Sequence, residues 1–221
     1  MNKYKAVIFD MDGTIVDTEK VWKKVNKVFF DKKNFKDKKK IKEISKKVHG
    51  HSGNKIFNIF KEELKIETSV EELSKELTEI ANEIFKQEIK FINGFKKLHK
   101  FLKSKNIPTA IATNATDEGL KRINQKLNLE KFFGQHMYSI SCVNNVGKPN
   151  PDIFLHTAKQ LCIEPNECIV FEDSLHGVNA AKAAGMYCYA IDTSKIKDVL
   201  SIADKIINKY SEAKIEELLF F

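Results

Sequence analysis

The 221-residue chain predicts an α/β protein, a doubly wound, mainly parallel (Rossmann-like) sheet core with an inserted all-helical cap domain. Three observations carry that reading. A short apolar run of β-formers, Tyr4 to Phe9, stops abruptly at acidic residues and Gly13, as a buried strand followed by a loop does. From about Val21 to Phe91 apolar residues recur at helical spacing and no convincing strand is visible. From Phe95 onward helical and strand-like stretches alternate, the pattern of βαβ units in a parallel sheet.

The elements follow in order. The first strand is Tyr4 to Phe9. The helical insertion runs between Asp17 and the Asn93-Gly94 turn signal, which divides the chain into a core of residues 1–16 and 92–221 and a cap of residues 17–91. Within the cap, Val21, Val25, Val28 and Phe29 share one helix face, and Leu73, Leu77, Ile80, Ile84 and Phe85 share another. In the core, helix Phe95 to Lys105 leads to strand Thr109 to Thr113, and helix Glu118 to Leu127 leads to a strand near Met137 to Ser141. Helix Pro151 to Leu161, with proline suited to a first turn, leads to strand Cys168 to Phe171. Helix Gly177 to Ala184 leads to strand Tyr187 to Ile191, and the chain finishes with a short apolar piece, Lys205 to Ile207, and a terminal helix.

Composition narrows the function. The formal charge of +8 invites a nucleic-acid reading, yet the excess is lysine and Arg122 is the sole arginine. Base reading and bidentate phosphate clamps favour arginine's planar fork, so no nucleic-acid partner is expected and the lysines read as solvated surface. The densest run, Lys32 to Lys47, is interrupted by Phe35, Ile41 and Ile44 and reads as one wet helix face. No apolar run approaches the roughly 18 residues of a membrane helix, so a soluble protein without a membrane partner is expected. The N-terminus lacks the pattern of a signal peptide, which suggests a cytoplasmic location, and a monomer is expected. The four cysteines, Cys142, Cys162, Cys168 and Cys188, lack paired zinc-type spacing and read as reduced, mostly structural thiols.

Chemistry is expected where apolar runs end, because open α/β sheets bind ligands outside the carboxyl ends of their strands. Asp10 and Asp12 follow Val7-Ile8-Phe9, Thr113 and Asn114 follow Ile111-Ala112, Glu172 and Asp173 follow Ile169-Val170-Phe171, and the loop after the Met137 strand carries Gly147-Lys148-Pro149. Four carboxylates at one edge repel one another and any anionic substrate, so the cluster calls for a cation. Magnesium fits best, being hard, oxygen-seeking and content with one or two carboxylates plus phosphate and water. Calcium is chemically admissible, but the spacing of an EF-hand loop is missing. Residues two apart in an extended segment point the same way, so Asp10 can attack phosphorus while Asp12 serves as the acid and then the base. Gly13 allows close backbone approach, and Thr113, nearby N–H groups and Lys148 hold the phosphoryl oxygens.

Asp10-Met11-Asp12-Gly13-Thr14, then Thr113, then Lys148 in Gly147-Lys148-Pro149-Asn150-Pro151-Asp152, then Glu172-Asp173 with Ser174 and Gly177, taken together and in this order, resemble the haloacid dehalogenase superfamily of phosphohydrolases across essentially the whole chain. The resemblance implies Asp10 as nucleophile, Asp12 as general acid/base, and Thr113 and Lys148 at the phosphate, with Asn114 beside Thr113 a further phosphate-binding candidate. It implies magnesium held by the Asp10 carboxylate, the Asp12 backbone carbonyl and Asp173, with Glu172 assisting directly or through water. Asp17 and Glu19 resemble the subgroup of β-phosphoglucomutases and sugar phosphatases, whose helical cap closes over substrate and excludes water. Glu19, His49, His51 and Lys55 are the candidate substrate contacts in the cap; His176 has no assigned role, and Trp22 reads as packing.

The expected function is a magnesium-dependent phosphatase acting on a small phosphorylated metabolite, such as a sugar phosphate, through an aspartyl phosphate. A phosphomutase is the alternative, and a non-enzymatic lysine-rich nucleic-acid binder a remote one. Mutases of the β-phosphoglucomutase type usually present a cap arginine for a second phosphate, whereas this cap has none. A dehalogenase would leave Asp12 and the metal loop without work. Asn93-Gly94 stands where the family commonly carries Pro-Gly, which bears on the rigidity of the cap hinge.

Overall fold

The computed structural model describes residues 3–48, 54–192 and 201–219. It divides into two compact units, residues 1–17 with 90–221, and residues 18–89.

The first unit is built on a sheet of six parallel strands: β1 (Ala6–Phe9), β2 (Thr109–Ala112), β3 (Met137–Tyr138), β4 (Cys168–Glu172), β5 (Tyr187–Ile191) and β6 (Lys205–Ile207), in the order β3-β2-β1-β4-β5-β6. The central strands are apolar on both faces, because helices cover each side of the sheet. On one face Phe9 stacks on Phe171 at 5.2 Å between ring centroids, and Phe171 stacks on Tyr189 at 5.0 Å. On the other, Ala6, Ile8, Val170 and Cys188 pack with Phe154, Val178 and Ala181. Alternation along each strand thus sends aromatic rings one way and smaller aliphatic groups the other.

The sequence expectation for the third strand is too long. After Tyr138 the chain turns into a 3₁₀ segment, Ile140–Val143, because the Ser139 hydroxyl accepts from Ser141 N and the Ile140 N–H turns back to the Ala115 carbonyl. The fourth strand is longer than expected and includes Glu172, paired with Ala190 of β5.

The second unit holds four helices among the described residues: α1 (Glu19–Lys32), α2 (Lys38–Val48), α3 (Asn54–Leu64) and α4 (Val70–Glu88). Helix α4 starts at a capping box, in which the Ser69 hydroxyl accepts from Glu72 N while the Glu72 carboxylate accepts from Ser69 N. Leu73, Leu77, Ile80 and Phe85 are buried. On α1 the buried stripe is Val21, Val25 and Phe29, continued by Phe30 rather than Val28, which is 38% exposed. Phe60 draws the stripe that way by stacking on Phe29 at 5.4 Å and meeting Phe30 edge-on at 5.7 Å. Trp22 packs its ring on Phe85 yet keeps 40% of its surface open. The lysine-rich run is not one helix face: Lys32 closes α1, Lys33 and Lys36 lie in the connection, and from Lys38 on the run belongs to α2, where Ile44 is buried; Glu63 of α3 pairs with both Lys40 and Lys47.

The remaining helices belong to the first unit: α5 (Phe95–Ser104), α6 (Asp117–Leu127), α7 (Glu130–Phe133), α8 (Asp152–Gln160), α9 (Leu175–Ala183) and α10 (Glu216–Leu219). Pro151 sits at the cap position of α8 rather than within its first turn. All four cysteines are free; Cys168 and Cys188 are buried as structural thiols should be, whereas Cys142 and Cys162 are exposed. Among the described residues no helix is long and apolar enough to cross a membrane.

Candidate active site

The strand order reverses direction at β1, which lies between β2 and β4, so the carboxyl end of β1 opens on the crevice where α/β sheets take their ligands. Phe9 is in register with Ile111 of β2 and with Phe171 of β4. Asp10, Ala112 with Thr113, and Glu172 therefore stand side by side at the ends of three neighbouring strands.

Lys148 reaches into the centre of this row. Its ammonium donates to Asp10 Oδ1 at 2.6 Å, to Glu172 Oε1 at 2.7 Å and to the Ala112 carbonyl at 2.9 Å, and it lies 4.7 Å from the centre of the Phe154 ring. All three of its protons are thus directed. Its backbone is bracketed by Asn114, whose side-chain oxygen accepts from Lys148 N at 3.0 Å and whose amide nitrogen donates to the Lys148 carbonyl at 3.5 Å. Asn114, expected at the phosphate, is in this structure engaged in holding the lysine loop. Gly147 makes that approach feasible, since a Cβ there would meet Ile140 Cδ1 at 2.9 Å and Asn114 Oδ1 at 3.1 Å.

Glu172 is held from its other oxygen. Oε2 accepts from Asp173 N, Ser174 N and the Ser174 hydroxyl at 2.8, 2.9 and 3.0 Å, and the same hydroxyl caps α9 by accepting from Gly177 N. A Cβ on Gly177 would lie 1.8 Å from the Glu172 carboxyl carbon, so only glycine fits under that carboxylate. Gly13 plays the same part beneath Asp173: its φ is +83°, and a Cβ would fall 2.0 Å from Asp173 Oδ2. The loop that Gly13 turns is closed by Gly13 N donating to the Val16 carbonyl at 2.8 Å.

Asp10, Glu172 and Asp173 each offer a carboxylate oxygen within 4.8 Å of the others. Their charges strain one another. Loss of hydration, then the Glu172 charge, lifts the Asp10 carboxyl to about 7, although Lys148 pulls it down. Burial and the same acidic neighbours raise Asp173 as well. Burial works against the charge of Lys148, but Asp10 and Glu172 outweigh it and raise its pKa. Three carboxylates beside one ammonium leave a net negative charge within this group of residues, and all three offer oxygen. That donor set fits a hard divalent cation.

Thr113 is buried, and its Oγ1 accepts from Ala115 N at 3.0 Å, which leaves the hydroxyl proton for another partner. Asp12 follows on the β1 loop, where its charge and that of Glu118 favour the cationic form of Arg122 on α6, against the burial that lowers Arg122's pKa. Sequence reading registered Arg122 only as the sole arginine. It also missed Ala112, whose carbonyl anchors Lys148, and Tyr210, whose hydroxyl donates to the Thr14 carbonyl at 2.8 Å. Neither of the latter carries a local sequence signal. Of the cap candidates, Lys55 is exposed on α3 and Glu19 opens α1, with its side chain outside the description; His49 and His51 lie outside the described residues. His176 is half-buried in the first turn of α9.

Residues 7–191 match the family model described as haloacid dehalogenase-like hydrolase. The chain is 33% identical over 183 residues to a phosphorylated carbohydrates phosphatase of Thermotoga maritima, covering 82% of each chain. It is 32% identical to (DL)-glycerol-3-phosphatase 2 of Arabidopsis thaliana, covering 96% of this chain and 89% of that one. Among solved structures, a protein of Thermotoga maritima described as a putative beta-phosphoglucomutase superposes with a TM-score of 0.73 at 31% identity, covering 92% of this chain and 94% of that one.

Proposed function

The chain belongs to the haloacid dehalogenase-like hydrolase family and is a phosphomonoester hydrolase; from that premise we propose a magnesium-dependent phosphatase of small phosphorylated metabolites, sugar phosphates foremost, working through an aspartyl phosphate on Asp10. The observation that carries the reading is the cluster at the end of β1, where buried Asp10 and Glu172 and half-buried Asp173 gather within 4.8 Å and Lys148 bridges the first two.

In this mechanism Asp10 attacks the phosphorus with the oxygen that Lys148 does not hold. Lys148 favours the ionised nucleophile against the burial that raises its pKa, and aims it through the proton it gives Asp10 Oδ1. The bond from phosphorus to the ester oxygen breaks as Asp12 gives that oxygen its proton. Asp12 then takes a proton from water, which attacks the aspartyl phosphate and frees Asp10. The Thr113 hydroxyl proton steadies a phosphoryl oxygen, and Lys148 adds its positive charge from beside Asp10. Asp10, Asp173 and the Asp12 carbonyl would hold magnesium, with Glu172 assisting. That cation, when bound, supplies positive charge against the phosphoryl oxygens and the acidic cluster.

The relatives named for phosphorylated carbohydrates and glycerol 3-phosphate support small phosphomonoesters as the substrate class. The purified protein is expected to release inorganic phosphate from an aryl phosphate only with magnesium, and Asp10→Asn to abolish turnover. Activity that survives chelation, or an active Asp10→Asn, defeats the mechanism. A screen of sugar, polyol and nucleotide phosphates ranked by kcat/KM then fixes the substrate.

A mutase is the second reading, favoured by the similarity to the putative beta-phosphoglucomutase. Residues 18–89 contain no arginine to grip a second phosphate, which weighs for the hydrolase. Interconversion of hexose 1- and 6-phosphates with a bisphosphate primer would select the mutase.

A further inference from the structure

One residue of the C-terminal segment reaches back to the nucleophile loop. Tyr210 lies in a 3₁₀ turn, Tyr210–Glu212, far along the chain from the nucleophile loop, and is buried. Its ring is wedged among Phe171 at 5.4 Å, Phe95 at 6.2 Å and Phe9 at 6.5 Å, the last being the residue before Asp10. Its hydroxyl donates to the Thr14 carbonyl at 2.8 Å. Thr14 in turn aims its own hydroxyl at Asp173 Oδ1, 3.5 Å away, while Gly13, one residue earlier, leaves the space that Asp173 Oδ2 fills.

We propose that Tyr210 is a positioning residue for the metal-binding half of the site: through the Thr14 backbone it fixes the Gly13-Thr14 turn against Asp173, and so sets the spacing between the β1 loop and the β4 loop. The proposal rests on the magnesium-dependent reading above. Two features make the phenol suited to this. Burial, together with the charges of Asp10 and Asp173, raises its pKa, so the hydroxyl stays a donor throughout the working pH range. Its backbone end is fixed as well, because Gly94, with φ +91°, brings the start of α5 to within 3.1 Å of Tyr210 Cβ, measured from the Cβ that glycine lacks. A methyl group at residue 94 would crowd the Tyr210 Cβ. The Asn93-Gly94 turn and the nucleophile loop thus meet at one side chain.

Tyr210→Phe keeps the ring in its aromatic nest and removes only the donor, leaving the Thr14 carbonyl without that partner. Magnesium affinity, measured by calorimetric titration of the full chain, is expected to fall about threefold to tenfold, the size of one lost hydrogen bond. In the aryl phosphate assay kcat at saturating magnesium should drop by a similar factor while KM for the ester changes little. A residue that served only packing would lower the melting temperature without moving magnesium affinity. Unchanged magnesium affinity in a folded Tyr210→Phe overturns the proposal. If that variant does not fold, Thr14→Val keeps the carbonyl that Tyr210 bonds and removes the hydroxyl facing Asp173, the last link of the path, and must weaken magnesium binding; unchanged binding there overturns the proposal equally. Should the wild type bind magnesium yet hydrolyse no phosphomonoester, the hydrolase mechanism fails while the titration still decides the role of Tyr210.

Discussion

At the scale of single residues the site depends on atoms that are missing. Gly177 has no Cβ because the Glu172 carboxylate occupies that space, with 1.8 Å to the carboxyl carbon. Gly177→Ala must therefore push Glu172 away, and Glu172 anchors Lys148 while accepting from the N–H groups of Asp173 and Ser174. The variant is expected to lose about 1–3 kcal/mol, the cost of overpacking, and nearly all phosphatase activity. Gly185 is the informative comparison: its φ is +74°, but a Cβ there meets nothing within 4 Å. Gly185→Ala should lose about 1–2 kcal/mol, the cost of a left-handed non-glycine residue, with kcat/KM unchanged. Urea denaturation beside aryl phosphate kinetics separates the two. Equal activity in both variants would show that Glu172 does not govern the site.

At the scale of elements, local signals are reliable where one segment carries all of its own information. The capping box of α4 is such a case, with Ser69 and Glu72 three residues apart and reciprocally bonded. Ser69→Ala is expected to cost about 1 kcal/mol, read as a lowered denaturation midpoint; no change would mean that water replaces the cap without loss. The ends of β1 and β2 were nearly as legible, since an apolar run that stops at Asp10 or Thr113 marks a strand end to within one residue, whereas β4 runs one residue further than its apolar run, through Glu172. The shortening of β3 was not, because Ser139 reads as a strand residue until its hydroxyl is seen capping the following turn. Val28 misled for a related reason: its spacing from Val21 suits burial, but Phe60, on another helix, draws the packing toward Phe30. Asn114 adjoins Thr113 in sequence, yet its partners are backbone atoms of Lys148, contributed by a different loop. Tyr210 is the extreme case, since its partner Thr14 is 196 residues away and no periodicity links them.

At the scale of the whole molecule, folding and function oppose each other through the acidic cluster. Asp10, lifted to about 7 by burial and Glu172, binds a proton in the folded state that the unfolded chain has released. Its contribution to stability is fully present below its unfolded pKa of about 4 and is lost as pH rises through about 7. Asp173 shifts in the same direction. His99 works the opposite way: burial among the rings of α5 and α7, then the charge of Lys103, lowers its pKa. The stability it lends is present above its unfolded value of about 6.5 and is lost as pH falls below it. A simple pH scan of the metal-free protein would mix these opposing slopes. Magnesium separates them, because His99 contributes alike with and without the metal, whereas Asp10 must be deprotonated to take it. The rise in melting temperature on adding magnesium is therefore expected to be large at pH 8 and small at pH 5.5, and His99→Phe should change the metal-free curve without changing that difference. A magnesium effect that is flat with pH, or greater at pH 5.5, would place the cation away from Asp10.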